Sequence, residues 1–441
     1  MAVKNNISRL FLFGGDLLGV FLSLCLAYGL RILLEDSFDL KVNGEFWEYS
    51  FNIMVYAVIS VVFFSERIYK DRYDFWEETH LLIKSILISL VLVLSILALS
   101  KSMQDYSRFI VVMSFVFMLF VIPVFKNILK KTLFNIGLWK RSAEVCGNDT
   151  YIKEEIFGNA YLGYVHSNHA DAQTIFIDTN NISADELQKR LDDSLKEKKE
   201  VLFIPLLQSY NFANVRIIEL SNARKNLIVL ENTLLKKSNV WIKKVSDIFL
   251  SILLFPFFVI LFIVIVLLMK KEEPKGKIFF KQKRMGHNGE EFVCYKFRSM
   301  YENGDEVLEA YLKEHPDEIA CYDKYHKYKE DPRITQTGKI LRKTSLDELP
   351  QIINVLRGEM SLIGPRPYMP SEKEKIGDSI DMVLAVKPGI TGLWQVSGRS
   401  EVDFHSRVEI DVWYTRNWNL WLDIVILVKT IKVILFRHGA Y

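Results

Sequence analysis

The chain has 441 residues, a length that predicts more than one domain. Half of the residues are hydrophobic while 25% are charged, so very apolar stretches must alternate with ordinary soluble sequence. The formal net charge of +3 is nearly balanced and argues against nucleic acid as a partner. Four scattered cysteines include no CxxC pair, which supports neither a disulfide framework nor a zinc site.

Four apolar runs near the N-terminus approach the roughly 20 residues that a membrane-spanning helix needs. Lysine and arginine concentrate before the first run, around the second connection and after the fourth run, which predicts that both ends of a transmembrane domain over 1–135 are cytoplasmic. Asp16 lies within the first run and is costly in lipid, so we expect it to face another helix or the headgroups rather than to have a function of its own. The four runs are Leu10–Leu34, Tyr49–Phe64, Leu81–Leu99 and Phe109–Phe125.

A polar segment follows and predicts a small Rossmann-like α/β domain over 140–238. Short apolar runs alternate with helix-like stretches such as Ala184–Lys198, as in a unit built on a parallel sheet. The turn Val145–Asp149 holds a single glycine, so the dinucleotide fingerprint fails and we expect a regulatory or dimerisation role instead. The apolar runs are Thr174–Ile177, Glu200–Pro205 and Asn226–Leu230.

A fifth apolar run, Ile248–Met269, has basic residues on both flanks and Pro256 inside it. A simple span would place one basic flank outside, against the positive-inside rule. Proline removes a helical hydrogen bond and bends or breaks the helix. We therefore predict a re-entrant helix hairpin over 241–271, broken at Pro256, with both ends cytoplasmic; an ordinary kinked span is the alternative.

The remaining region, 272–441, predicts a mainly α catalytic domain with clustered cations that suit a phosphate-rich substrate or anionic headgroups. Its sharpest element is the carboxylate pair Asp347 and Glu348. Ser345 and Glu348 have the spacing of a capping box, so a plain helix start is one interpretation. The other is that one carboxylate attacks a phosphoryl group while its neighbour holds a metal ion.

Three further segments have two interpretations each. Gly364–Pro367 is a turn whose prolines restrict the backbone of Arg366 and pre-set its guanidinium, or a plain structural turn. The glycine-rich stretch Lys387–Arg399 either wraps a nucleotide or is a β-like connection. The apolar but charged segment Trp418–Phe436 predicts an interfacial or core-packing helix.

Several long motifs stand in one order through the C-terminal region: Lys244–Asp247, Tyr295–Met300, Asp331–Thr335, Leu341–Gln351, Met360–Pro367 and Lys387–Arg399. On these motifs the chain from about Trp241 onward resembles the bacterial polyprenyl-phosphate hexose-1-phosphate transferases, the monotopic phosphoglycosyl transferases. The N-terminal helices and the α/β segment resemble those of the long-form members.

The resemblance implies a role for each matching residue. Asp347 would be the nucleophile that takes the sugar phosphate and releases UMP, Glu348 would bind Mg²⁺, and Pro256 would break the membrane hairpin. Polyprenyl phosphate would then attack the aspartyl-phosphosugar. The basic residues implied to contact phosphates and nucleotide are Lys296, Arg298, Arg333, Arg342, Arg366 and Arg399.

Among long-form members the chain most resembles the undecaprenyl-phosphate galactose phosphotransferases, on Tyr73–Glu78, Ile136–Lys140 and Gly439–Tyr441. The resemblance implies UDP-galactose as donor, with UDP-glucose as the alternative, and undecaprenyl phosphate as acceptor in the first step of surface glycan assembly. We expect a homodimer in the bacterial inner membrane, with the catalytic domain on its cytoplasmic face. A silent scaffold, a glycosyltransferase that releases UDP and a transporter are the other classes.

Overall fold

A computed structural model describes residues 2–38, 45–100, 107–147, 150–179, 182–197, 200–204, 216–220, 225–229, 233–315, 331–397 and 403–436. The chain divides into two compact units, residues 1–208 and residues 209–441. The first unit combines apolar helices with a small sheet. The second is mainly helical with short sheets.

Apolar helices form the N-terminal part of the first unit. Together with a helix of the second unit, they give five segments, within the part of the chain that the structure describes, that are long and apolar enough to cross a membrane. The predicted apolar runs all lie in helices, although the second run is divided between a short helix and a longer one. The helices are α1 (Ala2–Phe38), α2 (Phe46–Ser50), α3 (Ile53–Ser65), α4 (Phe75–Leu99) and α5 (Arg108–Asn135).

Glycines allow α1 and α5 to approach each other closely. A Cβ at Gly15 would lie 2.4 Å from the Leu129 side chain, and one at Gly19 would lie 3.1 Å from Ile122. Side-chain caps begin the neighbouring helices, since Asn52 accepts from the Met54 N–H and Asp74 accepts from the Glu77 N–H. These local signals place α1, α3, α4 and α5 around one apolar core.

A buried cluster of four charges (Asp16, Glu78, Lys126 and Lys130) joins α1, α4 and α5. Lys126 Nζ lies 2.8 Å from Asp16 and 3.4 Å from Glu78, and Lys130 forms an ion pair with the other oxygen of Glu78. Because the two negative and two positive charges balance, none is left unpaired in an apolar core. Asp16 thus faces another helix, as the sequence predicts.

The rest of the first unit is an α/β segment with a four-stranded sheet in the order β2-β1-β3-β4. All described pairings in this sheet are parallel, as predicted. Trp139 Nε1 donates to the Tyr161 carbonyl, and the Tyr161 hydroxyl donates to Glu78 of α4, so the sheet domain and the helices share the buried charge cluster. The elements are β1 (Arg141–Cys146), α6 (Thr150–Gly158), β2 (Tyr164–His166), β3 (Thr174–Asp178), α7 (Ala184–Lys196) and β4 (Glu200–Ile204).

The apolar run Asn226–Leu230 does not extend that sheet. It forms β6 (Lys225–Val229), which pairs antiparallel with β5 (Arg216–Leu220) in a separate two-stranded sheet. The short connection between these strands explains the correction, since antiparallel strands can be joined by a tight turn and parallel strands cannot.

A single long helix, α8 (Lys237–Glu272), contains the fifth apolar run. The chain stays helical through Pro256, which corrects the predicted break to a proline inside a continuous helix. A proline removes one hydrogen bond of the helix, and the apolar turns on either side keep theirs. The re-entrant topology stays a prediction.

Both ends of α8 contact the folded part of the second unit. Near the N-terminal end, Lys243 Nζ lies 2.8 Å from Asp423, and the Ser361 hydroxyl donates to Asp247 at 2.7 Å. At the C-terminal end, Ile265 and Met269 pack in a cluster with Phe297 and Leu341. Most apolar side chains between these ends are exposed.

The remaining elements of the second unit build its core around Cys294, Met360, Tyr414, Trp418 and Ile426. The helix that ends this core packs its Ile426 side chain completely inside, so the core-packing interpretation of Trp418–Phe436 is confirmed. The elements are β7 (Phe279–Met285), β8 (Glu291–Phe297), α9 (Gly304–Glu314), α10 (Gln336–Thr344), α11 (Ile352–Leu356), β9 (Ser361–Ile363), α12 (Lys373–Ile376), α13 (Ile380–Leu384), β10 (Gly389–Thr391), α14 (Leu393–Val396), α15 (Phe404–Asn417) and α16 (Leu420–Phe436).

Replacing Lys130 by methionine tests the charge cluster. Lys130→Met leaves Glu78 buried with one partner fewer, and we expect a loss of about 3–5 kcal/mol in the free energy of unfolding. The neighbouring Lys131 is exposed, and Lys131→Met should change it by no more than about 0.5 kcal/mol. Thermal unfolding of both variants in the same detergent gives the comparison; equal stability of the two would contradict a structural role for the cluster.

Candidate active site

The carboxylate pair lies just after the end of α10. Thr335 caps the start of this helix by accepting from the Gly338 N–H, and Glu272 at the end of α8 accepts the Gln336 and Thr337 N–H groups at 2.6 and 2.9 Å. These bonds satisfy main-chain donors that a helix start leaves open. The position of α10 is therefore fixed by the end of the apolar helix.

Ser345 ends α10 in the left-handed conformation, with φ of 55°, and a 3₁₀ turn over Leu346–Gln351 follows. A serine with positive φ is uncommon and marks a sharp change of chain direction. The Ser345 side chain makes no cap hydrogen bond to this turn. The capping-box interpretation is therefore wrong, and Glu348 is available for another partner.

Lys296 is that partner. It lies on β8, whose antiparallel pairing with β7 runs from Phe279–Phe297 to Met285–Glu291. Its Nζ lies 2.6 Å from Glu348 Oε1, and both side chains are only partly exposed. The structure thus brings together residues that are far apart in sequence and that the motifs marked separately.

Asp347 lies in a less favourable environment than Glu348. Burial, and then the neighbouring charge of Glu348, raise the pKa of Asp347 to about 6, although Lys296 and Arg342 act in the opposite direction. Arg342 extends from the last turn of α10 and its Nε donates to the Ser299 hydroxyl at 2.8 Å. The site therefore holds two adjacent carboxylates with two cations beside them.

Other residues predicted to bind substrate have different neighbours. Arg298 pairs with Glu273 at 2.7 Å and with Glu302 at 3.2 Å. The Arg333 guanidinium donates two hydrogen bonds to Asp331, one to each carboxylate oxygen. These bonds lower the pKa of Asp331, although its partial burial acts in the opposite direction. Both arginines are held by carboxylates outside the Asp347–Glu348 turn. Arg399 lies outside the described residues.

Arg366 extends from the turn Gly364–Pro367, between β9 and α12. The glycine-rich stretch packs directly on this turn, since a Cβ at Gly389 would lie 2.1 Å from the Gly364 nitrogen. β10 within this stretch pairs parallel with β9. Within the described part of Lys387–Arg399 the chain is β-like over Gly389–Thr391 and then forms α14, where the Trp394 ring lies 5.8 Å from the Arg366 guanidinium.

Sequence reasoning did not select three residues that surround this turn. Arg284, at 7% exposure, donates to the Pro367 carbonyl at 3.0 Å. Burial and then the charge of Arg366 lower its pKa, while Glu348 acts against that change. Asp411 on α15 accepts the Arg366 N–H, and Arg407 lies one turn earlier with its guanidinium 4.5 Å from the Trp394 ring. No motif of the sequence marks Asp411, because its burial on α15 is a property of the fold.

The carboxylate pair fits a divalent cation. Within the described ranges no group of three or more histidine, cysteine or acidic side chains could hold a metal by itself. Mg²⁺ is commonly held by one or two carboxylates together with substrate phosphates and water, which is the set that Asp347 and Glu348 offer. The repulsion that raises the pKa of Asp347 is also what a bound cation would relieve.

Comparison with known proteins identifies the family of the chain. The family model described as "Bacterial sugar transferase" matches residues 238–437. The chain is 33% identical to the undecaprenyl-phosphate galactose phosphotransferase of Salmonella typhimurium, over 93% of this chain and 91% of that protein. The chain belongs to the bacterial sugar transferase family. It is therefore an enzyme.

Of two other relatives, one is named for galactose and the other for glucose. The UDP-galactose-lipid carrier transferase of Erwinia amylovora is 33% identical over 99% of this chain and 98% of its own length. The UDP-glucose:undecaprenyl-phosphate glucose-1-phosphate transferase of Klebsiella pneumoniae is 36% identical over 55% of this chain and 50% of its own length. Similarity to the galactose enzymes thus extends over both units, while the match to the glucose enzyme covers about half.

Replacing Asp347 by asparagine tests the electrostatics of the site. The folded-state pKa of Asp347, about 6, lies above the usual aspartate value of about 3.9. The folded protein binds this proton more tightly than the unfolded chain, so the carboxyl lowers stability as pH rises through this window. Asp347→Asn should therefore raise Tm at pH 7.5 and leave it unchanged near pH 4, in metal-free buffer.

Asp331→Asn provides the control of opposite sign, because the pKa of Asp331 is lowered and its ionised form stabilises the fold. This variant should lower Tm at pH 7.5. A lower Tm for Asp347→Asn at that pH would contradict the unfavourable environment of Asp347.

Proposed function

We propose that the enzyme transfers a sugar 1-phosphate from a UDP-sugar to undecaprenyl phosphate and releases UMP. One observation carries the proposal: Asp347 and Glu348 form a partly buried carboxylate pair with Lys296 bound to Glu348 at 2.6 Å. A buried carboxylate beside cations is suited to attack a phosphorus atom and to tolerate the charge that develops there. The family and the names of the full-length relatives supply the substrate class.

Two displacements occur at the same phosphorus in this scheme, the first by Asp347 and the second by the lipid phosphate. Its carboxylate oxygen attacks the sugar-bearing phosphorus of the UDP-sugar, an O–P bond forms, and the phosphoanhydride bond breaks with its electron pair on UMP. A phosphate oxygen of undecaprenyl phosphate then attacks that phosphorus. The Asp347–phosphorus bond breaks, which restores the carboxylate and yields the lipid-linked sugar diphosphate.

The other charged residues stabilise these steps. Lys296 and Arg342 lie near enough to the pair to shift the pKa of Asp347, so they also reach the charge of a phosphoryl group bound there. Arg366, on the Gly364–Pro367 turn, suits the nucleotide phosphates, and the buried Arg284 adds a positive charge behind this turn. Mg²⁺, held by Glu348 and the substrate phosphates, would neutralise charge on the diphosphate.

Galactose 1-phosphate is the favoured group for transfer. The supporting observation is the extent of similarity, since two relatives named for galactose match more than nine-tenths of this chain. The relative named for glucose matches 55% of it. We therefore propose UDP-galactose as the preferred donor, with UDP-glucose as the alternative, and surface glycan assembly as the destination.

A single transfer assay tests the nucleophile and the donor. Purified enzyme with Mg²⁺, undecaprenyl phosphate and UDP-galactose labelled in the sugar should produce labelled lipid and UMP. Without lipid, the label should stay covalently bound to protein and be released by hydroxylamine, which cleaves acyl phosphates. Asp347→Asn should lower both signals on the order of a thousandfold or more, because it removes the attacking group.

The exposed Asp378 provides the matched control, and Asp378→Asn should leave the transfer unchanged. UDP-glucose in the same assay should give a kcat/KM lower by roughly tenfold. Release of UDP would contradict phosphate transfer altogether, undiminished labelling of Asp347→Asn would remove this residue as nucleophile, and faster turnover of UDP-glucose would reverse the proposed preference.

We also propose a membrane arrangement with four spans from 1–135, a Rossmann-like domain over 140–238, and a re-entrant α8 over 241–271 that leads to the catalytic domain at 272–441. The helix lengths and the parallel sheet support the first two parts. The contacts of both ends of α8 with the same folded unit support the third. All of the catalytic groups then lie on the cytoplasmic face, and the homodimer stays a prediction.

Single cysteines introduced on a background without the native cysteines test this topology. Lys236→Cys and Lys275→Cys flank α8 at exposed positions, and both should react with a membrane-impermeant maleimide only in inverted vesicles. Glu45→Cys, exposed before α2, should react in spheroplasts and serves as the control for the outer face. Reaction of Lys275→Cys in spheroplasts would show that α8 crosses the membrane.

A further inference from the structure

A buried carboxylate that the transfer scheme does not use lies behind the Gly364–Pro367 turn. Asp411 on α15 is 0% exposed, and burial raises its pKa to about 7. One of its oxygens, Oδ1, has no hydrogen-bond partner among the described residues. A buried carboxylate with an unsatisfied oxygen is costly, so its presence in the core calls for a specific role.

The other oxygen of Asp411 holds the main chain of Arg366. Asp411 Oδ2 accepts the Arg366 N–H at 3.1 Å and the Tyr368 hydroxyl at 2.9 Å. Proline has no N–H, so in the stretch Pro365–Pro367 the only main-chain donor is that of Arg366. Asp411 therefore takes the one main-chain hydrogen bond that this stretch can donate.

Other groups hold the carbonyls of the same turn. The Gly389 N–H donates to the Pro365 carbonyl at 2.8 Å, and Arg284 donates to the Pro367 carbonyl at 3.0 Å. Because Asp411 accepts the Arg366 N–H, hydrogen bonds hold the backbone on both sides of Arg366. The side chain of Arg366 is the part of this residue that can still change direction. The Arg366 side chain is about one-quarter exposed, 3.9 Å from Glu372.

The charges around Asp411 point to the same residue. The groups that act on its carboxyl are Arg366 and Tyr368 from the turn and Arg407 from its own helix. Arg366 and Arg407 both lie over the Trp394 ring, at 5.8 and 4.5 Å. Asp411 is thus a buried carboxyl group beside two arginines, Arg366 and Arg407, which both lie over the Trp394 ring.

We propose that Asp411 is a positioning residue for the transfer reaction, whose carboxylate fixes the main chain of Arg366 and so directs its guanidinium toward the nucleotide diphosphate. The proposal rests on the proposed function, in which Arg366 binds donor phosphate. Asp411 itself contacts no substrate. Its effect on catalysis must therefore pass through Arg366.

A double-mutant cycle on the full-length enzyme tests this dependence, with kcat and KM measured for UDP-galactose. Displacing a binding group by about 1 Å can cost on the order of a hundredfold in rate, so Asp411→Ala should lower kcat/KM by roughly tenfold to a hundredfold, mainly through KM. In the Arg366→Ala background, the same substitution should have less than about a threefold effect, because the group it positions is absent. If the fold-loss in kcat/KM of the double variant equals the product of the losses of the two single variants, the proposal is overturned.

Two further variants separate positioning from folding. Tyr368→Phe removes the second donor to the same oxygen but leaves the Arg366 bond, and it should retain kcat/KM within about threefold. Asp411→Ser replaces Asp411→Ala in the cycle where the alanine variant does not fold, as judged by Tm. Failure of both to fold, or a Tyr368→Phe loss equal to that of Asp411→Ala, would place Asp411 in the core alone and overturn the proposal.

The cycle also separates this inference from the proposed function. If Arg366→Ala leaves kcat/KM unchanged, then Arg366 does not bind donor phosphate and the proposed function is wrong in that respect. If Arg366→Ala is strongly impaired but Asp411→Ala is not, only the positioning role fails.

Discussion

The candidate active site depends on the pair of hydrogen bonds by which Glu272, at the end of α8, caps the first turn of α10. A helix start leaves main-chain N–H groups open, and here a carboxylate from the apolar helix satisfies two of them. Because α10 ends at Ser345, the direction of α10 sets where Asp347 and Glu348 lie. The end of the apolar helix thus helps to position the Asp347–Glu348 pair, which lies far from it in sequence, and this suits the proposed reaction, whose acceptor is a membrane lipid.

Buried charge is handled in opposite ways in the two units. In the first unit, Asp16, Glu78, Lys126 and Lys130 balance one another completely and join the helices to the sheet domain. In the second, Asp347 and Asp411 remain incompletely compensated, and burial raises the pKa of each. A balanced cluster leaves no buried charge unpaired, so that losing one member is costly, whereas uncompensated carboxylates lower stability and are typical of sites that bind or react.

Much of this organisation could be predicted from the sequence, because hydrophobic runs and long motifs are local properties. The apolar helices, the parallel sheet and the Asp347–Glu348 pair follow from them. The partner of Glu348 could not be predicted, since Lys296 reaches it only through the pairing of β7 with β8. The same limit explains why Arg298 and Arg333 were grouped with the site: motifs mark cations, but only the fold shows that carboxylates elsewhere hold these two.

The direction of Arg366 depends both on the two prolines beside it and on Asp411, which is distant in sequence. The prolines restrict the backbone torsions and supply no N–H, so Arg366 has the only main-chain donor of the stretch Pro365–Pro367, which the sequence alone indicates. That leaves one N–H to be satisfied in a buried place, and a residue 45 positions later satisfies it. A rigid turn by itself only limits the directions available to Arg366. Selecting one direction requires a fixed acceptor, and the core position of Asp411 on α15 makes that acceptor immobile.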